Sequence, residues 1–353
     1  MPKLKYGKNI FSQKKKKRFP FWIFLLGLLA IPFFLIQPPP PAAISTPAGL
    51  TVEATFPPTY TPLPPPTFTP LPFPTGVHGG RIIFTCTRGD YNQICMVNRD
   101  GSGLLQITHD RVNHYYPPLS PQGEAIIYAS NKSLGTFDLY LLVLSTSQEI
   151  ELTKEIGNVF SPAYSPDGKK ILFINKTEDD VTGLWIMDSN GENAQLIYGG
   201  RKQAGVNSLV GAAWSPDGKQ IALAMTVDQA FEYEIFLLDL DNADAPPPRV
   251  TYGLLGITGS ISWSPNGSSL LLSAGPPLDK DIFHYEIETG IMTRLTSGGN
   301  NNSAVYSPNG EWIAFNSLRN NDQADLYIMR PDGTDLQQIT DNPEPDWQPQ
   351  WEP

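Results

Sequence analysis

The sequence predicts an all-β fold, a six-bladed β-propeller, on three observations. A five-letter phrase, an apolar ring or chain followed by Ser-Pro-x-Gly, recurs at a spacing in the forties. Each copy is followed by the same succession of short apolar runs and turn signals. The two ends of the repeating region hold complementary parts of one unit.

The phrase reads YSPDG at Tyr164–Gly168, WSPDG at Trp214–Gly218, WSPNG at Trp263–Gly267 and YSPNG at Tyr306–Gly310, with a looser LSPQG at Leu119–Gly123. Its chemistry is that of a tight turn. Proline presets φ near about −65° at the second turn position, Asp or Asn suits the third, and glycine takes the left-handed position that closes a hairpin. The prolines Pro121, Pro166, Pro216, Pro265 and Pro308 lie 45, 50, 49 and 43 residues apart. A period of that length built from short strands is the pattern of propeller blades.

Each turn leads into an apolar second strand, such as KILFIN after Lys169 or WIAFNS after Glu311. A third strand follows: DLYLLVL from Asp138, LWIMD from Leu184, EIFLLDL from Glu234, DIFHYEI from Asp281 and DLYIMR from Asp325. A further turn and a short fourth strand end near ELT, RVT, RLT or QIT, which makes four antiparallel strands per unit. Upstream, Gly79–Thr108 carries strands two to four and no first strand; downstream, EPDWQPQW (Glu344–Trp351) reads as a first strand alone. Joining them in one blade closes the ring and removes an open sheet edge. On this register Trp347 takes the buried place that Trp214 and Trp263 hold in their blades.

Three segments precede the expected propeller, which spans 78–353. Residues 1–18 hold eight basic side chains and no acid, leaving 25 − 8 = 17 basic against 35 acidic residues in the rest, a balance of −18. Such a body disfavours nucleic acid, whereas the basic tail suits the cytoplasmic side of a membrane. Residues 19–36, FPFWIFLLGLLAIPFFLI, carry no charge. As a helix they span about 27 Å, enough for a bilayer core. The expectation is a single-pass anchor in the cytoplasmic membrane, with the N-terminus in the cytoplasm and the propeller outside. A cleaved signal peptide is the competing reading, and it exports the remainder equally. Residues 37–77 are rich in proline and threonine and are expected to form an extended spacer, since proline donates no backbone hydrogen bond and fixes φ.

The recurring order W-S-P-D-G, I-A-F, I-Y-x-M, D-G, L-T resembles the TolB-type propeller repeat, over about residues 80–353. The resemblance implies a six-bladed propeller of the bacterial periplasm or cell surface, of a kind that mostly binds other proteins. A TolB-type protein has an α/β domain before its propeller; here a basic tail, an apolar run and a proline-rich stretch stand in that place. The repeats are also similar to the propeller of prolyl-oligopeptidase-type enzymes, whose chemistry comes from an α/β-hydrolase domain. No G-x-S-x-G nucleophile elbow occurs in this sequence.

Aligning the repeats puts Cys86 at the end of a second strand, where Ser130 and Ser317 stand, and Cys95 in a third strand, where Tyr140, Trp185, Phe236, Phe283 and Tyr327 stand. Two cysteines on neighbouring strands of an exported domain read as a disulfide; two buried thiols are the alternative. No metal or cofactor is expected. His109, Asp110 and His114 share a loop but match no ligand spacing, and NRDGSG, DSNGEN and RPDGTD lack the order of a calcium loop.

The Ser-Pro-x-Gly and Asp-Gly turns fall on one rim. The loops between blades, and those from second to third strands, fall on the other, and they differ from unit to unit. Candidate binding residues on this variable rim are Arg88, Asp90, Tyr91, His109, Asp110, Arg111, His114, Tyr115, Arg201, Lys202, Asp279, Lys280, Arg319 and Asp322. The expected function is a non-enzymatic module that binds an envelope or extracellular protein or peptide through this rim or the channel mouth. The alternative is a propeller that binds or cleaves cell-wall or external polysaccharide, which would need paired carboxylates at the channel.

Overall fold

The computed structural model describes residues 80–133, 136–177, 181–199, 208–226, 232–320 and 323–352. The expected tail, apolar span and spacer therefore lie outside the described residues, as do Arg201, Lys202 and Asp322. Among the described residues, no helix is long and apolar enough to cross a membrane.

Six antiparallel sheets form the six blades. In blade 1 the order is Asp346–Trp351, Arg81–Arg88, Tyr91–Asn98, Leu105–Gln106, so the C-terminal strand is innermost and the ring closes through both ends of the repeat region. The inner strands of blades 2 to 6 are His114–Tyr115, Asn158–Tyr164, Leu209–Trp214, Ile261–Trp263 and Asn302–Tyr306. The strands are apolar on both faces because each blade packs against two neighbours. Six buried clusters occupy the six junctions; Phe84, Ala314 and Trp351 share the one between blades 1 and 6.

Two expectations are corrected. Blade 4 has three strands, and its expected fourth survives as one bridge between Phe236 and Arg249. The run Pro246–Pro248 just before it supplies no N–H groups for a ladder. The register of the closing strand also differs. Trp351, opposite Ile82, holds the place of Trp263 opposite Leu270, while Trp347 is 37% exposed. The indole N–H of Trp351 donates to Val305 O (3.2 Å), as that of Trp263 donates to Ala213 O (3.1 Å), each reaching the inner strand of the preceding blade.

The Ser-Pro-x-Gly turn is closed the same way in each complete copy. Ser165 Oγ donates to Asp167 Oδ1 (2.7 Å) and accepts the N–H of Lys170 (2.9 Å); Ser215, Ser264 and Ser307 do likewise with Asp217, Asn266 and Asn309. The glycines of all five phrases sit at φ between +71° and +73°, where an L side chain is strained.

A second recurring device sits at the opposite rim. A threonine two residues past the fourth strand, or past its one-bridge remnant in blade 4, locks the start of the third. Thr153 Oγ1 donates to buried Asp138 (2.9 Å) and accepts the N–H of Leu139 (2.9 Å). Thr251 with Glu234, Thr296 with Asp281 and Thr108 with Gln93 repeat the arrangement. This explains why acid-led third strands and L-T or I-T endings recur together. Cys86 and Cys95 form a disulfide with Cα atoms 5.8 Å apart. They are diagonal neighbours, because Cys86 pairs with Gln93 and Cys95 with Phe84.

Candidate functional site

The inner strands surround a central cavity of about 780 Å³. Tyr116, Ser161, Ser303 and Gln348 stand three residues before Leu119, Tyr164, Tyr306 and Trp351, and all four have φ between +51° and +57°. In blades 3 and 6 the ladder slips at this point, between Phe160 and Ala163 and between Asn302 and Val305. Such a bulge turns side chains away from the sheet, and all four residues line the cavity. Non-glycine residues held there cost of order 1–3 kcal/mol each.

The lining is neutral. Rings come from Tyr115, Tyr116, Tyr164, Trp214, Trp263 and Trp347, and amides from Asn300, Asn302, Asn316, Gln348 and Gln350. No acidic or basic side chain lines it among the described residues. Gln348 joins three blades: its Oε1 accepts from Thr85 Oγ1 (2.9 Å) and from the N–H of Tyr116 (3.1 Å), and its own N–H donates to Asn316 Oδ1 (3.4 Å). Blades 4 and 5 approach tightly at Gly211 and Gly259, where a Cβ would lie 1.8 Å from Gly259 O and 2.0 Å from Val210 O respectively.

The sequence-predicted rim residues divide in the structure. Tyr115 lines the cavity. Arg88 pairs with Asp346 (3.3 Å), a fully buried carboxyl that burial pushes up from its ordinary value. Asp110 lies 2.7 Å from Lys132 Nζ and 3.7 Å from His114 Nε2. The His114 ring beside it, and after it the Lys132 ammonium, hold the Asp110 carboxyl well below the carboxylate range. His114 is fully buried, edge-on to Tyr128 at 4.9 Å. No group of three metal-ligating side chains forms among the described residues. Lys280 Nζ donates to Gly256 O (2.7 Å) and to Gly275 O. Arg319 donates to Ser317 Oγ (3.0 Å) and Asn301 Oδ1 (2.8 Å) and lies over Phe315 and Tyr327. Asp90, His109, Arg111 and Asp279 are exposed, and Tyr91 is half-buried. Arg88, Lys280 and Arg319 are thus bound into the scaffold.

Two groups escaped the sequence reading. The neutral cavity-lining residues carry no motif, although their position three residues before the phrase head marks them once the bulge is known. The three most exposed large apolar side chains among the described residues, Leu278 (82%), Tyr252 (74%) and Leu255 (65%), stand on two rim loops. Those loops are joined by a bond from the N–H of Gly275 to Leu255 O (3.0 Å).

The ring has a neutral core among the described residues and a varied rim, and known proteins share its fold. The solved TolB of Acinetobacter baumannii is 24% identical, with a TM-score of 0.68 over 79% of this chain and 68% of that one. The Tol-Pal system protein TolB of Francisella tularensis is 24% identical over 220 residues, 62% of this chain and 48% of the relative. The uncharacterized peptidase YuxL of Bacillus subtilis is 26% identical over 228 residues, 60% of this chain and 31% of the relative. Solved lyase and peptidase propellers share the fold at 13–16% identity. The chain spans less than half the length of the curated relatives it matches. No protein-family model matches the sequence. The fold is a TolB-like six-bladed β-propeller.

Proposed function

We propose that this chain is a non-enzymatic binding module, held outside the cytoplasmic membrane by residues 19–36, which engages another envelope or extracellular protein through its variable rim. One observation carries the reading: Leu278, Tyr252 and Leu255 stand exposed on that rim. Large apolar side chains exposed on the loops of an otherwise charged domain suit protein contact. The strongly acidic body argues against that surface resting on an anionic bilayer. The likeness to TolB, a Tol-Pal system protein in Francisella tularensis, agrees with a protein partner.

Polysaccharide cleavage would need carboxylates at the channel, and the described lining offers rings and amides instead. The test is capture of partners from envelope extract by the detergent-solubilised full chain, against an L255S/L278S variant. A reproducible protein lost from the variant supports the reading. Equal capture by both, or turnover of a glycoside or peptide panel by the purified chain, overturns it.

A further inference from the structure

The channel is neutral in a protein that is not. Outside its first 18 residues the chain holds 35 acidic and 17 basic side chains, yet none of either sign lines the cavity among the described residues. A charged ligand would lose its hydration there and find no counter-charge. The lining is also two-sided. The six junction clusters put the blades in chain order around the ring, so blade 3 faces blade 6 and blade 4 faces blade 1. Blades 3, 4 and 5 contribute Tyr164, Trp214 and Trp263, the heads of three phrases and so three rings at one level of the channel. Tyr115, Tyr116 and Trp347 add rings nearer the varied rim.

The five amides all stand on the other side: Asn300, Asn302 and Asn316 in blade 6 and the loop entering it, Gln348 and Gln350 in blade 1. Part of this amide wall is uncommitted. Gln348 Oε1 and Asn316 Oδ1 already accept bonds within the scaffold. Among the described residues, however, the Gln350 side chain makes no hydrogen bond and Asn316 Nδ2 donates to no acceptor. A pyranose sugar has the same two sides. Its C–H groups form apolar, faintly positive faces that settle on the negative face of an aromatic ring. Its edge carries hydroxyls that both donate and accept, and side-chain amides do the same. A peptide fits less well: it carries N–H and C=O groups along both edges and would set one row of them against the ring wall. The cavity volume, about 780 Å³, lies within the roughly 300–1,000 Å³ of small-molecule sites.

We infer that the central channel binds an uncharged oligosaccharide, with sugar faces against Tyr164, Trp214 and Trp263 and hydroxyls toward Gln350 and Asn316. The sugar is held and not cleaved, since the described lining places no carboxylate beside it. The channel is then a second site, separate from the apolar side chains of the rim, and needs no protein partner for its test.

The test is calorimetric titration of the full chain, in a detergent without a sugar headgroup. The neutral probes are cellotetraose, mannotetraose, maltotetraose and chitotetraose. The charged ones are C6-oxidised cellotetraose and deacetylated chitotetraose. The best neutral probe should bind with Kd below about 1 mM and at least ten-fold tighter than either charged one. No binding of any neutral probe, or a charged probe matching the best of them, overturns the inference. So does a blocked Ser-Thr-Ala hexapeptide that binds as tightly, which would assign the channel to peptide. Two variants place the site. Trp214→Ala should weaken the best neutral probe at least ten-fold. Gln350→Glu changes a side chain that braces nothing and sets a carboxylate in the amide wall. It should bind deacetylated chitotetraose at least ten-fold tighter than the parent does. An unchanged affinity in Gln350→Glu overturns the inference even where Trp214→Ala fails to fold. These readouts are independent of partner capture, so either proposal can fail alone.

Discussion

The two rims of this ring are built from opposite ends of the same strands and follow opposite rules. On one, every blade with a complete phrase closes its turn with the same serine, the same Asp or Asn acceptor and a glycine at the same φ. On the other, the threonine lock recurs but the ion pairs around it vary: Arg88 with Asp346, Lys132 with Asp110, and, alike in blades 4 and 5, Arg249 with Glu234 and Arg294 with Asp281. The repeating rim solves a backbone problem that has one cheap answer. The varied rim is free of that demand, and its loops carry the exposed apolar side chains. Recognition is to be sought where repetition stops.

The closing strand offers the sharpest test, because it puts a tryptophan at each rim. Trp351→Ala removes a buried ring at the junction of blades 1 and 6 and should cost about 3–5 kcal/mol. Trp347→Ala, half-exposed at the other end, should stay within about 1 kcal/mol. Chemical denaturation of both variants checks the pair, and equal losses would erase the contrast. Gly259→Ala marks a limit to tolerance on the varied side. Its Cβ would sit 2.0 Å from Val210 O, so a loss near about 3 kcal/mol is expected. Gly267→Ala on the repeating rim meets only Pro216 at 3.8 Å and should cost about 1–2 kcal/mol for its backbone angle.

Thr153→Val tests the lock between third and fourth strands. It leaves the N–H of Leu139 and the buried Asp138 short of a partner, for about 1–3 kcal/mol in the same assay. The smallest effect concerns acid. The Asp110 carboxyl is held below its unfolded value of 3.8, chiefly by His114 and then Lys132. Its contribution to stability is complete above that value and fades as pH falls through and below it. Asp110→Asn should therefore flatten the loss of melting temperature on acidification below about pH 4, a modest change because the group is partly exposed. An unaltered acid limb in the variant would mean that the ion pair contributes nothing.

Most of the fold was legible because its demands are local and repeated. Pro166 and Gly168 announce a turn whatever surrounds them, and five copies fix the period. The placing of Cys86 and Cys95 on one hairpin followed from the same alignment. The slip from Trp351 to Trp347 has a physical cause. The inner strand carries a bulge at Gln348, which a count of aromatic residues does not reveal. Blade 4's missing strand was written in Pro246–Pro248, and the RVT ending outweighed it. The binding surface was far less legible. Sequence reasoning favours charged residues in loops, and Arg88, Lys280 and Arg319 turn out to brace the scaffold. The neutral side chains of the channel gather from five or more separate strands, and only the closed ring brings them together.

The strand that closes blade 1 also sets a timetable. Arg88 and its partner Asp346 are 258 residues apart in the chain. As the polypeptide emerges N-terminus first, the edge of Arg81–Arg88 waits unpaired while all the other blades are made. During that interval it is the one strand whose inner neighbour has not yet been synthesised, and the nearest substitute is the closing strand Asp346–Trp351 of a copy finished ahead of it. Growth at high expression should therefore favour swapped dimers over misfolded monomers, and a factor that shields a single β-edge would do more for yield than one that binds loose hydrophobic chain.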